Sequence, residues 1–284
     1  MSRMKKLYKA GAAVAVAGMF ALPGHAATIQ YTGGQFTTFA GFDWSSNATA
    51  FTTGYDPATA NDTFGITFFS YGAALQSPNT VPSGMDLIAN GGGANSTGFN
   101  WTVVANLNEQ VFGCLALTCA FDLLAGSTFD IYYNPTFDAN HTAGSLGTGF
   151  TNGVKIISGT LTPTTLGLGG TFTTNVAGTA GQGSAALNGT ITYTNSAYVA
   201  PNLLGTTVGT TLQFGTLTTQ WTNPGGYNGV AWTGRPDQVV FQADANQTFT
   251  QVPEPGTVSL LALGLLGAGM ANRRKREMSR ERAG

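Results

Sequence analysis

The sequence predicts an all-β protein: an antiparallel β-sandwich or jelly-roll-like domain over residues 28–250, held between two hydrophobic ends. Three observations carry this. Apolar and polar residues alternate with period two in several stretches. Helical periods are nearly absent between the ends. Glycine, threonine and asparagine are abundant there. Period-two alternation with one wet face marks an antiparallel sheet. Threonine favours strands and glycine disfavours helices. Short strands separated by Gly, Asn and Pro fit a sandwich or jelly roll.

Residues 1–27 begin with Arg3, Lys5, Lys6 and Lys9 and run through an apolar stretch from Ala10 to Leu22. They break at Pro23-Gly24 and end in the small residues Ala26 and Ala27. That order builds a secretory signal peptide, removed by signal peptidase.

The body comes next. "GITFFSY" (65–71) is a short strand candidate. "FNWTVVANLNEQVF" (99–112) alternates most clearly: Phe99, Trp101, Val103, Ala105 and Leu107 on one face, Asn100, Thr102, Asn106, Asn108 and Gln110 largely on the other. "STFDIYYN" (127–134) sets Phe129, Ile131 and Tyr133 opposite Asp130 and Asn134. "VKIISGTLT" (154–162), "GTFTTNV" (170–176) and "TTLQFGTLTTQW" (210–221) are shorter candidates. "ALNGTITYT" (186–194) pairs Leu187, Ile191 and Tyr193 against Asn188, Thr190, Thr192 and Thr194. "DQVVFQADANQTF" (237–249) sets Val239, Phe241, Ala243 and Phe249 on one side. "NGGGANSTG" (90–98) and "AGTAGQGSA" (177–185) read as long loops.

Charge is uneven. Between residues 27 and 252 the cations are Lys155 and Arg235, against ten carboxylates, a net charge near −8. Such a body cannot neutralise a phosphate backbone, so nucleic acid is excluded as a partner. Hydroxyl and amide side chains supply its solubility. Cys114 and Cys119, an even pair in an exported chain, favour a disulfide stapling a tight turn between two strands. Half a metal site is the alternative, and no second Cys pair or His cluster completes one.

Chemistry is sparse. His141, in "TFDANHTAG", reads as an exposed loop histidine, and no Gly-x-Ser-x-Gly elbow accompanies it. Glu109 is harder to place, because alternation puts it on the apolar face with Trp101, Val103 and Leu107. A buried carboxylate there is costly unless paired. Three accounts stand open. The strand ends or bulges by Asn108 and returns Glu109 to water; Glu109 pairs with Lys155 or Arg235; or it is a glycosidase acid partnered by Asp122 or Asp130. The loop bearing Asp56, Asn61 and Asp62 offers oxygens to calcium without EF-hand spacing. Neither a cofactor nor a metal is expected, and no catalytic residue is assigned. Trp44, Trp221 and Trp232 lie by turns and are candidate glycan contacts by stacking, with core packing as the alternative.

Residues 251–284 close the chain. Pro253-Glu254-Pro255 precedes an apolar, charge-free run from Thr257 to Ala271, and Arg273, Arg274, Lys275 and Arg276 follow at once. A helix over that run reaches about 22 Å, short of a ~30 Å hydrocarbon core, and spans a bilayer with thinning or snorkelling. The basic cluster acts as a stop-transfer signal and holds its end on the cytoplasmic side. Motif, transmembrane helix and basic tail together resemble the PEP-CTERM sorting signal. The resemblance implies recognition by an exosortase, cleavage near the motif, and export across the inner membrane to the cell surface or extracellular matrix. The C-terminal anchor is then transient.

A second resemblance covers most of the body. "FDWSSNATA", "WTVVANLNEQV", "STFDIYYNP", "GTGFTNGVKIISGTLT" and "VVFQADANQTF" look like the blocks of the flocculation-associated PEP-CTERM proteins, in the same order. It implies a non-enzymatic role in exopolysaccharide-associated flocculation or biofilm formation by adhesion. The partners are extracellular polysaccharide and other copies of the chain, the latter assisted by unpaired sheet edges. A glycan-active enzyme or a carbohydrate-binding module is the alternative.

Overall fold

Alternation becomes strand nearly everywhere the sequence displays it. The structure, a computed structural model, describes residues 27–250 except 57–58, 60, 77–78, 88–97, 175–180, 216–220 and 236, together with 264–265. All of the predicted signal peptide except Ala27, which opens the first strand, is thus outside the described residues. So are Pro253, Glu254, Pro255, the Arg273–Arg276 cluster and all but Gly264 and Leu265 of the apolar run. No helix among the described residues is long and apolar enough to cross a membrane.

In chain order the strands are β1 (Ala27–Tyr31), β2 (Gly34–Phe39), β3 (Gly41–Trp44), β4 (Ala48–Thr53), β5 (Thr63–Gln76), β6 (Asn100–Leu115), β7 (Thr118–Leu123) and β8 (Thr128–Asn134). Then come β9 (Val154–Leu161), β10 (Gly170–Thr174), β11 (Gly181–Thr194), β12 (Val199–Ala200), β13 (Thr207–Phe214), β14 (Gly226–Tyr227), β15 (Val230–Ala231) and β16 (Val240–Thr250). The antiparallel all-β architecture predicted from alternation is what the chain adopts.

Its ladders close on themselves. β6 pairs β5 along one edge and divides its other edge, giving Asn100–Asn106 to β8 and Glu109–Leu115 to β7. β11 divides the same way between β9 and β10 while pairing β13 on its other side. β16 continues from β13 and meets β3 with one half and β4 with the other, and both return to β5. Two circuits result. One runs β5-β6-β8-β9-β11-β13-β16-β3; the other runs β5-β6-β7-β10-β11-β13-β16-β4. The two faces of the expected sandwich are joined on both sides into a barrel. A closed circuit has no edge strand. The expectation that unpaired edges of the main sheet promote self-association is therefore corrected.

Inward residues of the first circuit fill the barrel: Trp44, Phe68, Trp101, Phe129 and Ile131 are buried in one cluster. The separate β12-β1-β2 sheet covers that end. Tyr31 stacks on Phe99 at 4.9 Å between ring centroids, and Thr32 Oγ1 lies 2.6 Å from the Tyr133 hydroxyl. A second cluster lies outside the barrel wall. Phe51, Phe69, Tyr71 and Val104 point outward there and are covered by Phe137, Ala139 and Phe150. The β14–β15 hairpin adds Tyr227 to this cap.

Three local expectations change. Residues 181–185, expected in a loop, open β11. Glycine is needed there because a Cβ at Gly181 would lie 2.4 Å from the Phe172 ring, and one at Gly183 2.5 Å from the Thr171 carbonyl oxygen. Tyr193, expected inward with Ile191, is 45% exposed. The register slips between Ile191 and Tyr193, and an irregularity of this kind reverses the facing of the residues beyond it. Val239, expected inward, precedes the first residue of β16 and is exposed.

Candidate functional site

The second circuit is empty where the first is full. A cavity of about 380 Å³ occupies its lumen. Each of its eight strands contributes a residue to the wall: Thr52 from β4, Phe64 from β5, Glu109 from β6, Phe121 from β7, Phe172 from β10, Ala185 from β11, Phe214 from β13 and Phe241 from β16. An eight-stranded barrel is wide enough to be filled by side chains or to hold one small ligand, and this one does the first at one end and leaves room for the second at the other. The rings fall into two groups. Tyr55, Phe64 and Phe121 pack edge to face, with Phe64 4.8 Å from Tyr55 and 5.4 Å from Phe121. Phe241 lies 5.7 Å from Phe172 and 5.2 Å from Phe214. The cavity reaches solvent past Ala116, Leu117, Thr171 and Val239.

One lip of the cavity is the β6–β7 hairpin, closed by the Cys114–Cys119 disulfide with 4.0 Å between Cα atoms. Ala116 takes a left-handed backbone at φ 53° to make that turn. The lip is apolar and outward-facing: Phe112, Leu115 and Leu117 are exposed, beside exposed Leu166 and Leu168 of the β9–β10 connection.

Glu109 is the acid in this lumen. β6 does not end at Asn108; it continues, and its irregularity comes later, between Val111 and Gly113. Glu109 therefore keeps its inward place between Phe64 and Leu123, at 4% exposure. This corrects the account that returns it to water. Pairing with a body cation is corrected as well. Lys155 Nζ lies 2.9 Å from Asp130 Oδ2, and Arg235 Nε lies 3.1 Å from Asp237 Oδ1. Burial alone pushes the Glu109 carboxyl up to about 8. The partners proposed for glycosidase chemistry are elsewhere. Asp122 is in register with Gln110 and takes the Gly167 N–H at 2.7 Å, while Asp130 is in register with outward-facing Val104 and accepts from Ser158 Oγ. Neither shares the face of Glu109.

His141 is not the exposed loop residue expected. It is 5% exposed, stacks on Tyr71 at 5.0 Å, and is held at about 4 by burial. The long β8–β9 connection folds over the outer barrel wall and carries His141 under the cap, which its polar loop sequence does not reveal.

Trp44 is corrected from candidate glycan contact to core: it is 2% exposed and stacks on Phe42 at 4.6 Å. Trp221 and Trp232 are partly buried. Trp221 Nε1 donates to Thr49 Oγ1 at 3.1 Å, and Trp232 Nε1 donates to Asn223 Oδ1 at 2.7 Å while its ring packs on Phe51. In the calcium candidate loop, Asp62 Oδ2 accepts the Asp56 N–H and Asp56 Oδ2 accepts the Thr59 hydroxyl. No group of three His, Cys, Asp or Glu poised for a metal occurs among the described residues.

Alternation could have found Glu109, and did. It could not have found the cavity, which needs eight strands far apart in sequence.

No curated protein and no solved structure matches the chain. A family model described as the PEP-CTERM protein-sorting motif matches residues 251–275. The chain thus carries the PEP-CTERM sorting signal at its C-terminus, the mark of an exported protein held by that end in the membrane until an exosortase processes it.

Proposed function

We propose that the processed body acts outside the cell as an adhesive surface or matrix protein, contributing to exopolysaccharide-associated flocculation or biofilm formation without catalysing a reaction. The observation that carries this is the sorting motif at residues 251–275 joined to a charge-poor body. That body bears two cations and ten carboxylates, and its strands present rows of polar side chains outward. On β11, Asn188, Thr190 and Thr192 face solvent, and Thr207, Thr211 and Gln213 continue the surface on β13. Hydroxyl and amide groups at strand spacing offer donors and acceptors to a glycan or to a second copy. In this reading self-association uses this face rather than edges of the main sheet, which closes on itself.

Deleting the gene tests the reading. Flocs or biofilm of reduced size are expected, restored by the full chain and not by a chain ending at Thr250. Flocs unchanged by deletion overturn it.

A further inference from the structure

We propose that the lumen holding Glu109 binds an apolar organic cation: an amine or quaternary ammonium group carried on a hydrocarbon or aromatic body, with Glu109 as its counter-ion. The inference is independent of the adhesion reading and rests on four observations.

The first is the isolation of the carboxyl. Among the described residues the Glu109 carboxyl has no hydrogen-bond or ion-pair partner, though the residue is almost wholly buried; Lys155 and Arg235 are engaged by Asp130 and Asp237. A buried acid without a partner is a costly feature for a fold to carry. A ligand cation supplies what the chain lacks. The second is the wall. Six aromatic rings line the same cavity, and the negative face of each attracts a cation, most strongly where water is excluded. The third is size: about 380 Å³ lies within the range of small-molecule sites. The fourth is the field. A net charge near −8 on the body draws cations toward the lumen and opposes entry of an apolar carboxylate. A neutral hydrocarbon would fill the space and leave the acid unpaired.

Protons balance simply. Burial keeps Glu109 largely protonated at neutral pH, so the entering ammonium displaces one proton to solvent and leaves a carboxylate–ammonium pair. Tyr55 is the other titratable group on the wall, and it stays neutral: burial, then the charges of Asp62 and Asp56, raise its hydroxyl further. Cys114 and Cys119 are bonded to each other, and Asp122 on the neighbouring strand serves Gly167.

Calorimetry of the full chain with benzyltrimethylammonium and its uncharged carbon isostere, neopentylbenzene, tests the proposal. The cation is expected to bind at least tenfold more tightly than the isostere at pH 8.5. Its affinity falls about 25-fold at pH 6.5, as protonation of a group near 8 dictates. Buffers of different ionisation enthalpy should reveal one proton released near neutral pH. In Glu109→Gln the pH dependence vanishes and the preference for the cation drops to what the aromatic wall alone supplies. Should that variant not fold, the cation–isostere comparison and the proton release in the natural chain decide alone. Equal affinity for the two probes, binding of neither, or cation affinity unchanged between pH 6.5 and 8.5 overturns the proposal.

Discussion

Replacing Glu109 with glutamine should change how stability depends on pH, and the size of the change is set by burial. The carboxyl has an ordinary value of 4.5 and is pushed to about 8 in the fold. Between those values the folded state holds a proton that the unfolded chain has lost. The contribution of Glu109 to stability is therefore greatest below 4.5, falls as pH rises, and levels off above about 8. The slope is about 1.4 kcal/mol per pH unit, and the full span amounts to about 5 kcal/mol. His141 titrates with the opposite sign, but only below its ordinary value of 6.5. The window from pH 6.5 to 8 thus isolates Glu109. Urea unfolding across it should show the natural chain losing about 2 kcal/mol and Glu109→Gln losing almost nothing. Equal slopes in the two proteins, or a flat natural chain, would refute the reasoning, because Glu109 would then be hydrated or paired.

Other expectations concern the same framework. His141→Phe should remove an acid-side loss: folding holds His141 neutral down to about 4, so relative to the variant the natural chain loses up to about 3 kcal/mol as pH falls from 6.5 to 4 in paired urea titrations, with the Glu109 contribution common to both. Cys114→Ser with Cys119→Ser should cost ~2 kcal/mol by chemical denaturation, since the closed loop is short. Trp44→Ala should cost about 3–5 kcal/mol through the cavity it leaves, whereas sedimentation with exopolysaccharide should be unchanged in Trp44→Phe. Gly41→Ala should lower the thermal midpoint sharply, because its Cβ would sit 2.0 Å from the Gln247 carbonyl oxygen where β3 meets β16; a midpoint like the natural chain's would show that this contact relaxes freely.

Legibility in the sequence depended on range. The faces of Phe99–Leu107 and of Phe129–Tyr133 followed from alternation, because side chains in a strand alternate whatever lies beside them. The same rule failed at Tyr193, where a register slip of β11 against β9 intervenes. It could not reveal that β6 shares one edge between β7 and β8, since that depends on pairings distant in the chain. Closure, and with it the lumen, lay beyond local pattern for the same reason. Glu109 shows both sides: its inward placement was legible, while its isolation depends on where Lys155 and Arg235 find their partners. His141 was misjudged because a polar loop sequence does not disclose that the loop folds across the barrel wall. The sorting motif was legible in full because its signal is linear, with Pro253-Glu254-Pro255, the apolar run and the arginines consecutive in the chain.

Export and processing are the claim on which the functional reading rests, and intact-mass measurement of the protein recovered from outside the cell tests it most directly. The account predicts one species lacking the N-terminal signal up to about Ala27 and lacking the apolar run and arginines after Pro253-Glu254-Pro255. A full-length chain beginning at Met1, ending at Gly284 and confined to the cytosol would contradict it.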